Sequence, residues 1–353
     1  MKYLSLFSGV GSEAIAWSHL SWECVANAET DSHASAVLKY HHPNTPNLGD
    51  VTRVNWEKYK GQVDLLIGGS PCQAFSLAGL RKGLDDERGN LALEYCHAVR
   101  TIKPRFFIWE NVPGVLSDKT NAFGSLLAGL LGEDSPLLPT KSEKWENAGF
   151  FIGEECAIAY RVLNSQYFGV PQRRRRIYLL GMYFRDCGGL HTAHWGDLSK
   201  LAGIPAAILF EPESEGWDSK ESEKSQSPNS RATKTSTILA FSSKDSGSDC
   251  GAISPTLRSC GHKDSYPNAG APPAIARCLT TTPEVKYEVR NLTPVECERL
   301  QGYPDDWTNV PFNGKSMPKG ARYKMCGNGI TANVLRWLGN RIESQSNLLF
   351  SVK

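Results

Sequence analysis

The 353-residue sequence lacks any apolar run near the roughly 20 residues that a membrane-spanning helix needs. The first residues also lack the pattern of a cleavable signal peptide, because glycines break their apolar run within a few positions. Neither sign of charge is in large excess, since 39 lysines and arginines stand against 37 acidic residues. We therefore expect a globular cytoplasmic protein without membrane partners, in which any basic surface for an anionic partner is local.

Paired cysteines are also missing. The ten cysteines never form a CxxC pair, which disfavours both a disulfide framework and the common zinc modules. The nearest approach to a metal site is the group of Cys250, Cys260, His262 and Cys278, whose spacing fits no common zinc module. We expect reduced, mostly buried thiols and no bound metal.

The N-terminal residues follow the order strand, glycine turn, helix, strand, acid. The stretches are KYLSLF, SGVGS, EAIAWSHL and WECVANAE, and the last of them ends in Glu29. This is the order of the nucleotide-binding half of a doubly wound sheet, with Glu29 placed to accept hydrogen bonds from a ribose. The turn does not complete the GxGxxG pattern, so an ordinary structural turn is the alternative at this point.

Polar or reactive residues recur where predicted strands end. Asp50 follows an expected third short strand, Cys72 follows the apolar run VDLLI, and Glu110 ends the run RFFIWEN. Because the carboxyl ends of parallel strands meet at one edge of a sheet, these residues and Glu29 are expected to converge on one crevice. Cys72 comes after two glycines, on a loop, which favours a reactive thiol over a core thiol.

The stretch QRRRRIYLLGMYF predicts a basic turn that runs into a strand. Alternate strand residues face opposite sides of a sheet. We therefore expect Arg174 and Arg176 to face the crevice, and Arg173 and Arg175 to face away from it.

The amino-acid composition changes after about residue 190. Residues 211–236 are polar and low in complexity, which predicts a flexible segment. Residues 238–282 contain short β-like pieces separated by glycine, proline and serine, as in a loop-rich domain that presents side chains to a partner. Thr293 and Pro294 then predict the start of a helix.

Six stretches in this order closely resemble successive motifs of the C5-cytosine DNA methyltransferases: FSGVGS, PCQAFSLAG, ENV, QRRRRIY, RNLTPVECERLQGYP and GNGITANV. The resemblance covers residues 3–180 and 289–337. Residues 190–285 fall where that family has its variable target-recognition region.

The resemblance implies an α/β fold of the class I, Rossmann-like methyltransferases, with a doubly wound, mostly parallel sheet and a smaller, loop-rich target-recognition domain. It implies a catalytic and S-adenosylmethionine-binding domain at residues 1–195, completed by residues 322–353. The target-recognition domain and its hinge would occupy residues 196–321.

The resemblance also implies a mechanism. Carbon 5 of cytosine is a poor nucleophile, so Cys72 would add to carbon 6 and activate the ring. Glu110 would protonate ring N3 or form a hydrogen bond to it as electron density builds there. Arg174 and Arg176 would fix the base carbonyl and order the surroundings of Glu110.

The methyl donor implied by the resemblance is S-adenosylmethionine. Phe7 would face the adenine, Glu29 would take the ribose hydroxyls, and Asp50 would take the adenine amino group. The full set of matching donor-pocket positions is Phe7, Ser8, Gly9, Val10, Gly11, Glu29, Asp50, Val51, Pro71, Leu91 and Asn328. Two positions depart from the family pattern: Ser12 replaces a glycine, and Thr30 replaces an aromatic residue that stacks in many members.

A target base is out of reach inside a duplex, so the implied enzyme flips it out and closes residues 71–90 over it as a lid. The implied partner is double-stranded DNA, and we expect a monomer. Whether the chain has a cognate restriction endonuclease, and which sequence it recognises, are left open by the sequence.

Three alternatives remain at this point. The same chemistry on transfer RNA changes only the substrate. A nucleic-acid-binding protein could retain the fold without catalysis, although the intact Cys72 and Glu110 argue against it. An NAD-dependent oxidoreductase needs a glycine fingerprint that is incomplete here and has no use for the cysteine loop.

Overall fold

The computed structural model describes the chain over residues 1–70, 91–139, 144–184, 203–210, 238–241, 253–257, 274–278 and 287–350. The polar segment 211–236 and the expected lid at 71–90 lie outside the described residues.

Residues 1–70 and 91–111 supply four mutually parallel strands, with helices between them. In chain order the elements are β1 (Lys2–Leu6), α1 (Ser12–Trp17), β2 (Glu23–Ala28), α2 (Ser32–His41), β3 (Leu65–Gly68), α3 (Leu91–Ile102) and β4 (Phe106–Asn111). Short 3-10 turns lie at Val51–Arg53 and Trp56–Tyr59. β3 and β4 are buried along their whole length, because a parallel strand covered by helices has no solvent face.

The next elements extend the sheet in antiparallel fashion. They are a 3-10 turn (Pro113–Ser117), α4 (Ala122–Leu131), β5 (Ala148–Ile152), β6 (Cys156–Asn164), a second 3-10 turn (Ser165–Phe168) and β7 (Arg175–Tyr183). The main sheet of the described residues has the order β2-β1-β3-β4-β7-β6-β5. β7 runs antiparallel to both of its neighbours, and five of these seven strands share one direction.

The remaining elements are α5 (Ile204–Leu209), β8 (Ile238–Phe241), β9 (Ala274–Cys278), β10 (Tyr287–Asn291), α6 (Pro294–Leu300), β11 (Pro311–Phe312), β12 (Lys315–Ser316), α7 (Lys319–Asn328) and α8 (Ala332–Phe350). β10, β9 and β8 form a small antiparallel sheet in that order. The predicted start of α6 is confirmed, because Thr293 and Glu296 form a reciprocal capping box.

The strands of the main sheet separate two hydrophobic layers. Tyr3 and Ile67 face a layer that contains Trp17 of α1 and Leu335 of α8. Their strand neighbours face the other layer, which contains residues of α3 and α4, among them Val99 and Leu126. Alternate residues of each buried strand thus serve opposite layers, and the expected doubly wound α/β fold is confirmed.

The expected third strand before Asp50 is wrong. In its place a single parallel bridge joins Asn47 to Asn27, and the Leu48 amide donates to the Asn27 carbonyl at 2.7 Å. Gly49 then turns with a φ of 71°, so the chain leaves the sheet edge after one bridge. Asp50 caps the following 3-10 turn instead of ending a strand.

Residues after 200 contribute to the main core as well as to the small sheet. Ile208 of α5, Tyr303 and Met317 belong to the same hydrophobic layer as Trp17. The division into domains at 1–195, 196–321 and 322–353 stays a prediction. Within the described residues, no helix combines the length and the apolar character needed to cross a membrane.

Candidate active site

A cavity of about 960 Å³ opens at the carboxyl ends of β1 to β4. This is the edge at which open α/β sheets bind ligands. Its wall includes nearly all of the expected site residues that the structure describes: Phe7, Ser8, Gly9, Glu29, Asp50, Val51, Leu91, Glu110, Arg174, Arg176 and Asn328.

The glycine turn after β1 forms one end of the cavity. Phe7 and Gly9 both have a φ of 54°, and Gly11 has a φ of 77°. This left-handed conformation suits glycine and is rare for a residue such as Phe7. Val10, expected at the donor site, is 1% exposed and packs in the hydrophobic layer. Neither Val10 nor Gly11 is among the residues that line the cavity.

Glu29 fixes the glycine turn from the end of β2. Its two carboxylate oxygens accept hydrogen bonds from the Gly9 and Asp31 amides, each at 2.7 Å. Burial raises the pKa of Glu29, although these hydrogen bonds oppose the shift. Glu29 therefore both stabilises the glycine turn and lines the cavity.

Asp50 is held differently. Its Oδ1 accepts from the Thr52 amide at 3.0 Å and from the Thr52 hydroxyl at 2.8 Å, and these bonds lower its pKa. Val51 is buried beside it. The arrangement presents an ionised carboxylate at the cavity wall.

The serine that replaces a family glycine has a definite partner. Ser12 is buried and lies 2.6 Å from the Tyr303 hydroxyl, which also bonds the Ile330 carbonyl at 3.0 Å. Ser12 therefore joins α1 to the segment after α6. The second departure, Thr30, lines the cavity beside Asp31, which accepts from the Lys324 ammonium at 2.7 Å.

Glu110 occupies the opposite part of the wall, at the end of β4. It is 8% exposed, and its Oε1 lies 3.2 Å from Arg176 Nε. Burial raises the pKa of Glu110, while the charges of Arg176 and Arg174 lower it. The carboxyl therefore keeps its proton to a higher pH than an exposed glutamate does.

Arg174 is buried and donates to three backbone carbonyls. The acceptors are Leu257 at 3.2 Å, Gly327 at 3.1 Å and Gly329 at 2.7 Å. Burial lowers the pKa of Arg174 to about 10, and the Arg176 charge adds to this shift. Arg174 thus ties together three segments that are distant in the sequence.

The expected alternation of the four arginines agrees with the structure. Arg173 and Arg175 are exposed, whereas Arg174 is buried and Arg176 half-buried. Arg176 reaches Glu110 because β7 is antiparallel to β4, which places the start of β7 beside the end of β4.

Cys72 and Pro71 lie outside the described residues. The described chain before them ends at Ser70, which lines the cavity. Ser70 is anchored to β4, since its hydroxyl accepts from Trp109 Nε1 at 3.0 Å and its carbonyl accepts from Asn111 Nδ2 at 2.9 Å.

The cavity wall includes residues that sequence reasoning missed, and five of them bear on the chemistry or the architecture of the site: Ser5, Glu13, Thr256, Leu257 and Lys324. Thr256 and Leu257 belong to a segment that lies alongside residues 171–174 in space. Backbone hydrogen bonds join Arg173 to Ser254 and Ser254 to Pro171. No local sequence pattern in this variable region predicts its contact with residues 171–174. Glu13 offered one signal, since it is an acid within a helix that must pack against a sheet.

No group of three or more histidine, cysteine or acidic side chains suitable for a metal ion occurs among the described residues. Of the cysteine and histidine group considered from the sequence, Cys250, Cys260 and His262 lie outside that part of the chain. The absence of a metal stays a prediction.

Comparison with known proteins supports the same family. The family model for the C-5 cytosine-specific DNA methylases matches residues 1–344. The chain is 31% identical to a DNA N-6-adenine-methyltransferase of Escherichia phage P1, over 96% of this chain and 61% of that protein. It thus spans about three fifths of that relative's length.

Two further proteins match along nearly their whole length. The Type II methyltransferase M.HhaI of Haemophilus parahaemolyticus is 26% identical over 98% of this chain and 95% of its own. The crystal structure of the S. pombe Dnmt2 methyltransferase superposes with a TM-score of 0.58 at 15% identity, covering 98% of this chain and 99% of that one. At this identity the superposition shows a shared fold. Since the family model spans almost the entire sequence, the protein belongs to the C-5 cytosine-specific DNA methylases.

Proposed function

We propose that the protein transfers a methyl group from S-adenosylmethionine to carbon 5 of a cytosine in double-stranded DNA. The observation that supports this most directly is the pair of Glu110 and Arg176, 3.2 Å apart, in a cavity that also contains Glu29 and Asp50. Acceptor base and donor must share one cavity, because direct transfer requires the reacting atoms in near contact. Membership of the family supports the same reaction.

Cys72 supplies the nucleophile in this proposal. It follows Ser70 of the cavity wall by two residues, a span of at most about 7 Å. Its thiolate adds to carbon 6 of the cytosine, which makes carbon 5 nucleophilic toward the methyl group. Release of the carbon 5 proton to solvent then breaks the bond between sulfur and carbon 6, which expels the thiolate and restores the ring, and any proton taken up at N3 returns to Glu110.

Glu110 acts on the other side of the ring. Addition at carbon 6 moves electron density onto N3, and a protonated carboxyl can donate a proton or a hydrogen bond there. Burial raises the pKa of Glu110, which favours this protonated form relative to an exposed glutamate. Arg176 forms an ion pair with the carboxyl and offers donors to the base carbonyl, while Arg174 joins the start of β7 to Leu257, Gly327 and Gly329 on the same cavity wall.

S-adenosylmethionine, when bound, supplies an electrophilic methyl group on a sulfonium centre. The cavity suits it, since two carboxylates and an open glycine turn lie on one wall and an unpaired Glu13 oxygen lies among them. The residues that we propose hold the donor are Phe7, Ser8, Gly9, Glu29, Asp50, Val51, Pro71, Leu91 and Asn328, while Val10 and Gly11 shape the turn behind the cavity wall.

DNA reaches the site from outside the sheet edge in this proposal. The target base is flipped out and residues 71–90 close over it, while residues 196–321 read the surrounding sequence. A single flipped base needs no two-fold symmetry, so we propose a monomer that acts in the cytoplasm, and sedimentation of the purified chain would test the oligomeric state.

A second candidate acceptor is the N6 amino group of adenine, because the phage P1 relative is named for it. An exocyclic amine can attack the donor with its own lone pair and needs no prior thiol addition to the ring. Replacing Cys72 with serine would therefore spare adenine methylation and abolish cytosine methylation.

The deciding experiment is transfer of labelled methyl from S-adenosylmethionine to mixed-sequence duplex DNA and, in parallel, to total transfer RNA. Products are digested to nucleosides, and the Cys72→Ser protein is the control. Labelled 5-methylcytosine from DNA that disappears in the control is the expected result. Labelled N6-methyladenine in both proteins would establish the second candidate, and label only on RNA would overturn the DNA substrate.

A further inference from the structure

A carboxyl group that the proposed reaction does not use lies in the cavity wall. Glu13 belongs to the first turn of α1, directly after the glycine turn, and is 3% exposed. Its Oε1 has no hydrogen-bond partner within the described part of the chain. A buried polar atom of this kind is costly unless something satisfies it.

The groups that act on Glu13 are neutral or acidic. They are the Ser5 hydroxyl and Tyr3 on β1, Cys24 on β2, Glu29 after β2, and Tyr303 after α6. Burial raises the pKa of Glu13 to about 7, the Glu29 charge adds to the shift, and hydrogen bonds from its own amide and Ser5 oppose it. The site therefore suits a cationic ligand group that brings its own hydrogen-bond donors.

We propose that Glu13 binds the α-ammonium group of the donor's methionine portion. This inference rests on the proposed function, which makes S-adenosylmethionine the donor. The donor has two cationic groups, and only the ammonium has N–H bonds to give to an unpaired carboxylate oxygen. The sulfonium has none, so the missing hydrogen-bond partner of Oε1 selects the ammonium.

The assignment fixes the direction of a pH effect. An ammonium binds the ionised carboxylate, so ligand binding releases a proton from that fraction of Glu13 that was protonated. The affinity for an ammonium ligand should therefore rise with pH through about 7 and then level off. Glu29, whose pKa is also raised, keeps its own pH dependence in the Glu13 variant, so the native profile should lose one of two pH-dependent contributions when Glu13 is replaced.

The test compares three ligands by titration calorimetry on the full chain. S-adenosylmethionine and S-adenosylhomocysteine both have the ammonium, but only the first has the sulfonium. 5′-Methylthioadenosine lacks the amino acid portion. The variant is Glu13→Gln, which keeps the shape and removes the charge.

The matched control is Glu94→Gln. Glu94 is also a buried glutamate with an unpaired Oε1, but it lies on α3 outside the cavity wall. Thermal unfolding of both variants shows whether they are folded.

Glu13→Gln should weaken S-adenosylmethionine and S-adenosylhomocysteine by the same factor, about tenfold to a hundredfold, as expected for a hydrogen bond to a charged group. Its affinity for 5′-methylthioadenosine should not change, and Glu94→Gln should bind all three ligands normally.

Three results would overturn the assignment. Loss confined to S-adenosylmethionine would make the sulfonium the partner. Equal loss for all three ligands would mean that Glu13 only shapes the cavity, and no loss would remove it from the site. If the native chain bound neither ammonium ligand, the donor of the proposed function would fall together with this inference.

Discussion

Replacing Glu110 with glutamine tests the proposed chemistry most directly. The amide has nearly the same size as the carboxyl, so it can occupy the buried end of β4. It has no acidic proton to give to ring N3. The change therefore removes the proton transfer while leaving the shape of the cavity wall intact.

The structure allows the size of the effect to be estimated. General acid catalysis by one positioned group is worth about a hundredfold to ten-thousandfold, so the methyl-transfer rate should fall by that factor. The cost in folding should be smaller than the 3 to 5 kcal/mol that is typical of breaking a fully buried ion pair. Arg176 is 14% exposed at its side chain and also donates to the Arg175 carbonyl at 2.8 Å, so it is not left without partners.

Glu298 provides the matched control. It is fully buried and paired with Arg322 at 2.9 Å, but it lies outside the cavity wall. Its carboxylate also accepts from the Thr308 amide at 2.9 Å. Glu298→Gln should therefore lower the melting temperature without a comparable loss of rate.

The assay is single-turnover transfer of labelled methyl to duplex DNA at saturating donor, with the donor Kd measured separately by calorimetry. Glu110→Gln should leave the donor Kd within about twofold, because Glu110 does not contact the glycine turn in any described hydrogen bond. A rate no slower than that of Glu298→Gln, or a defect confined to donor binding, would refute the role given to Glu110.

Three further outcomes are expected. Cys72→Ser should abolish methyl transfer while DNA binding, measured by gel shift, stays near the native value; retained transfer would exclude the covalent route. Glu29→Ala should chiefly weaken donor binding, because it removes the acceptors of two 2.7 Å backbone hydrogen bonds, and an unchanged donor Kd would exclude Glu29 from the pocket. Glu13 has a folded-state pKa of about 7 against an ordinary 4.5, so folding favours its protonated form and the protein gains stability from it at low pH. That stability should be lost, by about 3 kcal/mol, as pH rises from 4.5 through 7. Urea unfolding of the native and Glu13→Gln proteins across this range checks the difference, and parallel curves would contradict the shift.

Local sequence patterns predicted the elements that position the site. The glycine turn, the acid at the end of β2 and Glu110 at the end of β4 all lie where apolar runs and glycines indicated. The prediction of a third strand was wrong because the segment is short and pairs with the sheet edge through a single bridge. The match of the family model confirms the expected family. The family could be predicted because motifs in a fixed order are a property of the sequence itself.

Non-local contacts could not be predicted in this way. The pairing of Ser12 with Tyr303 joins residues 291 positions apart, and Arg174 reaches carbonyls 83, 153 and 155 positions away. Such partners depend on how whole layers stack.

The sequence by itself thus determined the N-terminal succession of strand, glycine turn, helix and strand, the positions of Glu29 and Glu110 after their strands, and the family. These features depend on hydrophobic periodicity and turn chemistry over a few residues. Only the tertiary structure decided that β7 runs antiparallel beside β4, which brings Arg176 to Glu110, and that Glu13 lies buried and unpaired in the cavity wall. The physical reason is that strand direction and the burial of a charge are settled by packing between distant segments, which no local pattern records.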